Sequence, residues 1–141
     1  MANAAANKIK YLLAFNAIDF ANDTFKIILM ESGFVFNKDT HHYYADVLAS
    51  ELATANGYIQ GDKTLSGLAM VEDDTDDRCE ITWSNVSWTA TGGVLGPACG
   101  AIIYDDTVAN DPIVGFIDFG QDYTQAEGGT ATITGLSVLI S

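Results

Sequence analysis

The sequence predicts a mainly β protein: an antiparallel β-sandwich or jelly-roll-like single domain with one or two short helices near its N-terminus. Three observations lead to this expectation. Beyond Lys63 apolar and polar residues follow an almost wholly two-fold pattern, which is the spacing of half-buried strands. The predicted strands recur at intervals of roughly a dozen residues with Gly, Asn and Asp between them, as in sandwiches and jelly rolls. A hydrophobic fraction of 48% with 18% charged residues excludes a disordered chain.

The first 22 residues are predicted to form a helical arm ahead of a β-sandwich domain at residues 23–141. Three apolar residues at positions i, i+3 and i+4 predict a short amphipathic helix over residues 7–15. These residues are Ile9, Leu12 and Leu13. The two lysines ahead of this stretch imitate a signal peptide, but polar residues interrupt the apolar run, so we expect the segment to remain in the mature fold.

Two further elements and a loop are predicted before residue 64. Residues 24–30, TFKIILM, have the apolar and β-branched composition of a strand. Residues 45–52, ADVLASEL, place their valine and leucines on one side of a helix. Asn-Gly and Gly-Asp pairs within residues 54–63 are turn signals, so this segment is expected to be a loop.

The second half of the chain is predicted to consist of strands joined by turns. Around residue 80 apolar side chains alternate with polar ones, and a near-continuous apolar run follows further on. Pro112 opens the next strand, where its missing amide donor is tolerated. The predicted strands lie at residues 64–71, 79–83, 86–89, 98–104, 112–119 and 130–140.

The net charge makes two classes of partner, nucleic acids and anionic membranes, unfavourable. Six Lys and Arg against nineteen Asp and Glu give a formal net charge of -13 at pH 7. Phosphate backbones and anionic membrane surfaces would be repelled, so we expect neither a nucleic acid nor a membrane as a partner. No apolar run in the sequence approaches the roughly 18 residues of a membrane-spanning helix.

Metal-binding patterns are incomplete. The acidic run VEDDTDDR at residues 71–78 lacks the central glycine of an EF-hand loop, so we expect a solvated turn; loose calcium binding there stays open. His41 and His42 are adjacent and point to different sides of any regular element, so they cannot readily share one ion. Surface or capping roles are expected for both histidines, and no cofactor is predicted.

Catalytic groups are also sparse. The sequence contains no GxSxG elbow, and two histidines supply few bases for a Ser-His-Asp arrangement. Cys79 alternates with apolar residues, as a packing residue does; it and Cys99 are expected to be free thiols, although a disulfide between them stays open. We therefore expect that the chain is not an enzyme. A metal-dependent hydrolase using the carboxylates of residues 72–77 with His41 and His42 ranks below the structural roles described below.

Four aspartates crowd the segment IIYDDTVANDPIVGFIDFG at residues 102–120. Asp105, Asp106 and Asp111 lie between two predicted strands, where Asp side chains bond nearby backbone groups and tolerate turn geometries. These three are therefore predicted first to turn the chain, ahead of any role in metal binding or acid–base chemistry.

Asp118 is the aspartate that a turn does not explain. Strict alternation would place it on the same strand face as Val114 and Phe116. A charged residue on such a face needs a partner, for which Arg78 or Lys26 is suggested.

Four segments of the sequence resemble a recurrent family of small proteins encoded among the structural genes of tailed bacteriophages. The segments are DTFKIILM, DVLASELATANGYIQGDKTLSG, DDTDDRCEITWSNVSWTA and AIIYDDTVANDPIVGFIDFG, and the resemblance runs from about residue 23 to the end. It implies a structural protein of the virion, without assigning one station in the particle. The resemblance implies no catalytic residue.

Within a particle, the charge favours the outer surface of the head, because packed DNA would repel an acidic protein lining its interior. We therefore expect a capsid decoration, or cement, protein, assembled in the host cytoplasm. Its partners would be the major capsid protein and copies of itself in a dimer or trimer. The expected docking residues lie on the N-terminal arm: Lys8, Ile9, Tyr11, Leu12 and Phe15.

A tail, collar or fibre component that contacts a host glycan is the alternative. Aromatic side chains can stack on sugars, although aromatics at alternate strand positions are more often core residues. The candidate platform consists of Tyr43, Tyr44, Trp83, Trp88 and Tyr123.

Overall fold

The computed structural model describes residues 2–141, which form three antiparallel sheets and two short helices. The elements in chain order are β1 (Ala2–Ala5), α1 (Asn7–Ala14), β2 (Phe25–Glu31), α2 (Tyr44–Val47), a 3₁₀ turn (Leu48–Ser50), β3 (Ala69–Asp73), β4 (Arg78–Thr82), β5 (Val86–Thr89), β6 (Leu95–Asp105), β7 (Ile113–Gln125), β8 (Thr130–Ile133) and β9 (Ser137–Ile140). The predicted mainly β fold class is confirmed. No helix within this part of the chain is long and apolar enough to cross a bilayer.

The largest sheet has four strands in the order β1-β7-β6-β2. A second sheet has the order β3-β4-β9, and a third consists of β5 and β8. All of these pairings are antiparallel. The strands alternate in direction without helical crossovers, as the turn-rich second half of the sequence predicts.

The two faces of the four-stranded sheet are both buried. On one face, side chains such as Leu29 and Ile103 pack against Trp88 and Val138 from the two smaller sheets. On the other face, a second cluster that includes Ile102 is covered by the segment after β2 and by α2. Burial on both faces explains why the predicted strand at 98–104 is apolar at successive positions.

Four details depart from the expectations drawn from the sequence. β1 was not predicted, because ANAA has weak strand propensity; it pairs with the long strand β7. The predicted strand at 130–140 is two strands, divided near Gly135, whose φ is 64°, so that β8 joins β5 and β9 joins β4. The predicted helix at 45–52 is a short helix followed by a 3₁₀ turn. Finally, the predicted arm at 1–22 is attached to the sheet, through β1 and through Ile9, which is fully buried.

Candidate functional site

The exposed side of α1 carries two aromatic rings and two lysines. Tyr11 is 56% exposed and Phe15 is 70% exposed, and their stacked rings lie 5.8 Å apart between centroids. The Lys8 ammonium lies 4.7 Å from the centroid of the Tyr11 ring, which is within cation–π range. Lys10 is exposed beside them. We call these four residues, Lys8, Lys10, Tyr11 and Phe15, the α1 surface.

The opposite side of α1 belongs to the core. Ile9 is fully buried, and Leu12 is half-buried and packs against the same core cluster. The helical period turns both side chains toward the sheet. The assignment of the fully buried Ile9 as a docking residue is corrected, whereas Leu12 is only partly buried and its docking role stays a prediction. Lys8, Tyr11 and Phe15 are exposed or half-exposed, and their role in docking stays a prediction.

Local sequence fixes the ends of α1 and brings a third lysine to it. The helix follows Ala6, which is extended, and stops where Asn16 adopts a left-handed φ of 61°, a conformation that asparagine tolerates well. The backbone N–H of Asn7 donates to the carbonyl of Lys38 at 3.0 Å, which places Lys38 beside the first turn. Three of the six cationic residues therefore lie at this end of the molecule: Lys8, Lys10 and Lys38.

The other three cationic residues face groups elsewhere. The Lys26 ammonium pairs with Asp106 at 3.4 Å, and the Arg78 guanidinium pairs with Asp73 at 3.1 Å. The Lys63 ammonium lies 5.4 Å from the centroid of a tryptophan ring. Within residues 2–141 none of the three lysines near α1 forms an ion pair. On a chain with a net charge of -13, the α1 surface is thus a cationic and aromatic end.

The acidic run at 71–78 forms the tip of the β3–β4 hairpin, as predicted. The Asp73 carboxylate accepts the backbone N–H groups of Thr75 and Asp76 at 3.2 and 3.3 Å, and it also receives Arg78. A groove of about 440 Å³ opens beside the tip, lined by acidic residues and by Cys79 and Ile140. In the part of the chain that the structure describes, no group of three or more His, Cys, Asp or Glu side chains is placed to hold a metal ion.

The two histidines have separate surroundings. His41 accepts the backbone N–H of Asn37 on Nδ1 at 3.1 Å, and its ring stacks on Phe34 with centroids 5.5 Å apart. The His41 side chain therefore stabilises the turn that begins at Asn37, which is the capping role that the sequence predicts. The backbone carbonyl of His42 accepts the N–H of Ile113, which ties this segment to β7.

Asp105 turns the chain, as predicted, but it does so while fully buried. Its Oδ1 accepts the backbone N–H groups of Thr107 and Val108 at 2.9 and 3.3 Å. Its Oδ2 has no donor within the described residues, and the carboxyl group of Asp23 lies against the Asp105 side chain. Burial, together with Asp23, raises the pKa of Asp105 to about 7. Sequence reasoning missed this burial, because Asp105 carries the same turn signal as its exposed neighbour Asp106.

The other aspartates of this segment are surface groups. Asp106 pairs with Lys26, and Asp111 has a left-handed φ of 52° at the turn before β7. Burial, followed by the nearby Asp106 charge, raises the pKa of Asp111. Asp118 is exposed and accepts the N–H of Gly120 at 2.8 Å.

Asp118 lies at the same groove as Phe116, as predicted, but its suggested partners and its shared face with Val114 were wrong. Arg78 and Lys26 pair with other carboxylates. Val114 and Phe116 lie in different core clusters, on opposite faces of the sheet, because irregular pairing between β6 and β7 breaks the strict alternation.

A buried carboxylate at Glu51 was not predicted. Glu51 is 3% exposed and accepts the hydroxyl of Tyr58 at 2.7 Å, the N–H of Gly61 at 2.9 Å and the hydroxyl of Tyr44. The Tyr58 hydroxyl in turn accepts the N–H of Leu29 at 3.0 Å. Burial, together with the Glu51 charge, raises the pKa of both tyrosines. Nothing in the sequence distinguishes this glutamate from a solvated helical one, because its partners are brought to it by the loop at 54–63.

The proposed aromatic platform is not assembled. Trp83 and Trp88 are 6% and 4% exposed and belong to the core, which is the more frequent role of aromatics at alternate strand positions, so neither can stack on a sugar. Tyr123, which is 42% exposed, lines a cleft of about 340 Å³ above Trp88. The polar residues at this cleft are Gln121, Thr132 and Thr134. We call it the Trp88 cleft.

Both cysteines are free thiols, as expected, and both are half-buried. The Cys99 thiol donates to the carbonyl of Glu31 at 3.2 Å, and burial raises its pKa. A high pKa keeps a thiol protonated and unreactive at neutral pH. Cys99 therefore has the character of a packing residue.

Comparison of the chain with protein-family models, with curated proteins and with solved structures finds no match.

Proposed function

We propose that this chain is a structural protein of a tailed-bacteriophage virion, and that it decorates the outer surface of the head. The observation that carries the proposal is the α1 surface. Two stacked aromatic rings with lysines around them stand exposed on a chain whose charge is otherwise strongly acidic. Aromatic residues at the centre of a patch with a polar rim are typical of protein interfaces.

The body behind this surface supports a role in contact and shape. The four-stranded sheet is covered on both faces, and α1 is anchored to the core through Ile9. A docking helix held in this way loses little conformational entropy when it binds. In the proposed role the chain adds buried area between subunits of the shell, and the many symmetric copies sum weak contacts.

The net charge supports a site of action outside the shell. A net charge of -13 per copy would be repelled by packed DNA inside the head. The partners in this proposal are the major capsid protein and further copies of this chain. Neither a nucleic acid nor a membrane is included.

Purified particles test the proposal directly. Quantitative mass spectrometry should find the chain in numbers comparable to the capsid lattice sites, on the order of hundreds per particle. A few copies per particle would indicate the tail instead, and particles without the chain would refute both locations.

Binding to shells that lack the chain tests the α1 surface. The double variant Tyr11→Ser/Phe15→Ser should show a lower occupancy than the unmodified chain, because the aromatic centre of the interface is lost. Val35→Ser is the matched control, since Val35 is also an exposed apolar residue, at 79%. Equal occupancy for all three proteins would remove the α1 surface from the proposal.

The Trp88 cleft favours a second candidate function: a tail, collar or fibre component that binds a host glycan. Tyr123 offers an exposed ring beside the neutral hydrogen-bonding groups of Gln121 and Thr132. Aromatic stacking with neutral polar groups suits an uncharged sugar. Titration with neutral oligosaccharides, followed by nuclear magnetic resonance, should shift signals around the cleft in the unmodified chain but not in Tyr123→Ala. An unperturbed spectrum would exclude this candidate.

A further inference from the structure

One face of the β3-β4-β9 sheet extends beyond the core. Directly opposed residues of antiparallel strands share a face, so Ile81 and Val138 lie in one row and Cys79 and Ile140 in the next. Ile81 is 1% exposed and Val138 is fully buried, whereas Cys79 and Ile140 are half-buried. On the edge strand, Met70 is 48% exposed. Cys79 and Ile140 pack against the core with part of their surface and leave the rest accessible at the end of the sheet nearest the hairpin tip.

Carboxylates surround this apolar strip. Glu72 lies opposite Cys79, and Asp74 and Asp77 line the same groove. The nearby Arg78 is engaged with Asp73 and Asp76, at 3.1 and 3.4 Å, and does not pair with these three carboxylates. We call the resulting surface the overhang; it consists of Met70, Glu72, Asp74, Asp77, Cys79 and Ile140.

The overhang and the α1 surface are complementary. One offers Met70, Cys79 and Ile140 with three carboxylates; the other offers Tyr11 and Phe15, with Lys8, Lys10 and the adjacent Lys38. Sulfur atoms of methionine and cysteine make favourable contacts with aromatic rings. Lys8, Lys10 and Lys38 outnumber the carboxylate beside them, Asp39, whereas the groove of the overhang is acidic, so opposite charges would meet. This favours the pairing over the like-charged contacts available elsewhere on an acidic chain.

We propose that the α1 surface of one copy docks on the overhang of a second copy. This inference rests on the docking role proposed for α1, and it names the partner of that surface. The two patches are different, so the contact is heterologous: each copy uses its α1 surface on one neighbour and its overhang on another. Such contacts form a closed ring or an open chain, either of which could run across a shell.

The contact is expected to be weak in solution. Each copy carries a net charge of -13, and association of two such chains is opposed by repulsion that salt screens beyond about 8 Å at physiological ionic strength. On a particle, attachment to a common lattice raises the local concentration and strengthens the same contact without new interactions. Self-association should therefore be measured from micromolar to millimolar concentrations at physiological salt.

Two complementary variants test the proposal by sedimentation velocity. Variant A, Tyr11→Ser/Phe15→Ser, loses the α1 surface and keeps the overhang. Variant B, Met70→Ser/Asp74→Lys, loses the overhang and keeps the α1 surface. Each variant alone should self-associate at least about tenfold more weakly than the unmodified chain. Because all four positions are exposed, thermal unfolding should show that both variants remain folded.

A mixture of variants A and B gives the decisive result. The intact α1 surface of B can bind the intact overhang of A, and neither partner can extend further, so the mixture should form one-to-one pairs and nothing larger. Self-association of B equal to that of the unmodified chain would overturn the proposal, because it would indicate contact between two α1 surfaces. A monomeric unmodified chain at every concentration would also overturn it.

These outcomes separate the inference from the proposed function. A chain that self-associates as described but is absent from purified particles would refute the virion role and leave the contact standing. A chain that stays monomeric in solution and shows no cooperativity in shell binding, yet occupies the head, would refute the contact and leave the virion role standing. Val35→Ser, at an exposed apolar position outside both surfaces, is the control for both measurements.

Discussion

The carboxyl group of Asp105, at the end of β6, lies against the carboxyl group of Asp23. Water has no access to the Asp105 side chain. Asp105 is fully buried, and its Oδ2 has no donor within the described residues. A proton shared between the two carboxyl groups would satisfy that oxygen. Burial, together with Asp23, accordingly raises the pKa of Asp105 to about 7, so the protonated form is favoured in the folded chain.

This pair predicts a stability that falls as the pH rises. The folded-state pKa of Asp105 is raised from the ordinary value of 3.8 to about 7. Its stabilisation is complete below the unfolded pKa and is lost as the pH rises through the folded pKa, because the unfolded chain releases the proton first. Asp105→Asn keeps a neutral side chain at every pH, and its amide can donate to Asp23. The free energy of unfolding of Asp105→Asn relative to the unmodified chain should therefore increase between about pH 4 and pH 7.

Urea unfolding at several pH values measures this difference. Its slope should not exceed about 1.4 kcal/mol per pH unit, the limit for one proton. Asp118→Asn, the same substitution at an exposed aspartate, is the control. A difference for Asp105→Asn that varies with pH no more than that of the control would contradict the shared-proton arrangement.

The Glu51 network predicts a large loss of stability when the acceptor is removed. In Glu51→Ala the hydroxyls of Tyr44 and Tyr58 and the N–H of Gly61 lose their common partner inside the protein. Each unsatisfied buried donor costs about 1–3 kcal/mol, and partial relaxation reduces the sum, so we expect a loss of about 2–4 kcal/mol. Chemical denaturation measures it. Glu127→Ala, at an exposed glutamate, should change the stability by less than about 0.5 kcal/mol, and a similar small value for Glu51→Ala would show that water replaces the network.

The sequence was most informative where local pattern and burial agree. The helix expected at 7–15 follows from apolar spacing and forms as α1, and the hairpin around the acidic run follows from alternation on both sides of it. β1 could not be predicted, because its alanines have little strand propensity and only the exposed edge of β7 makes them a strand. β1 is thus a strand because it pairs with β7, and a pairing between distant segments cannot be read from the residues of β1 alone.

The candidate site residues likewise divide into those that a local pattern predicts and those that depend on tertiary structure. Exposed groups such as Tyr11 and Phe15 could be proposed from the pattern of one helix, but Ile9 was included with them because the pattern does not say which side meets the core. The surroundings of Asp105 include Asp23, which is distant in sequence, and those of Glu51 include the folded loop at 54–63, whose path the local pattern does not give. A turn aspartate and a helical glutamate have the same local signature whether they are solvated or buried.

Gly57 and Gly33 form a matched pair of positions. Comparing their substitutions by alanine shows how much stability is lost when a side chain meets a closely approaching backbone. Both have a left-handed φ, of 95° and 87°. A Cβ at Gly57 would lie 2.0 Å from the carbonyl oxygen of Thr89, whereas a Cβ at Gly33 would meet nothing within 4 Å. Gly33→Ala should therefore cost about 1 kcal/mol for backbone strain alone, and Gly57→Ala clearly more, since Thr89 must also move. Equal melting temperatures for the two variants would indicate that the loop at Gly57 moves away from Thr89 without cost.

The two sides of α1 predict opposite effects on stability and binding. Ile9 is fully buried, so Ile9→Ala should lower the free energy of unfolding by about 2–4 kcal/mol through lost packing and the cavity left behind. Phe15 is 70% exposed, so Phe15→Ala should change it by less than about 0.5 kcal/mol while weakening docking. Removal of residues 2–14 should likewise destabilise the fold, because it takes away both Ile9 and the β1 partner of β7. Urea denaturation of the three proteins measures these differences. A truncated chain as stable as the full one would mean that α1 and β1 are a dispensable arm after all, whose contacts with the sheet add nothing to the folded state.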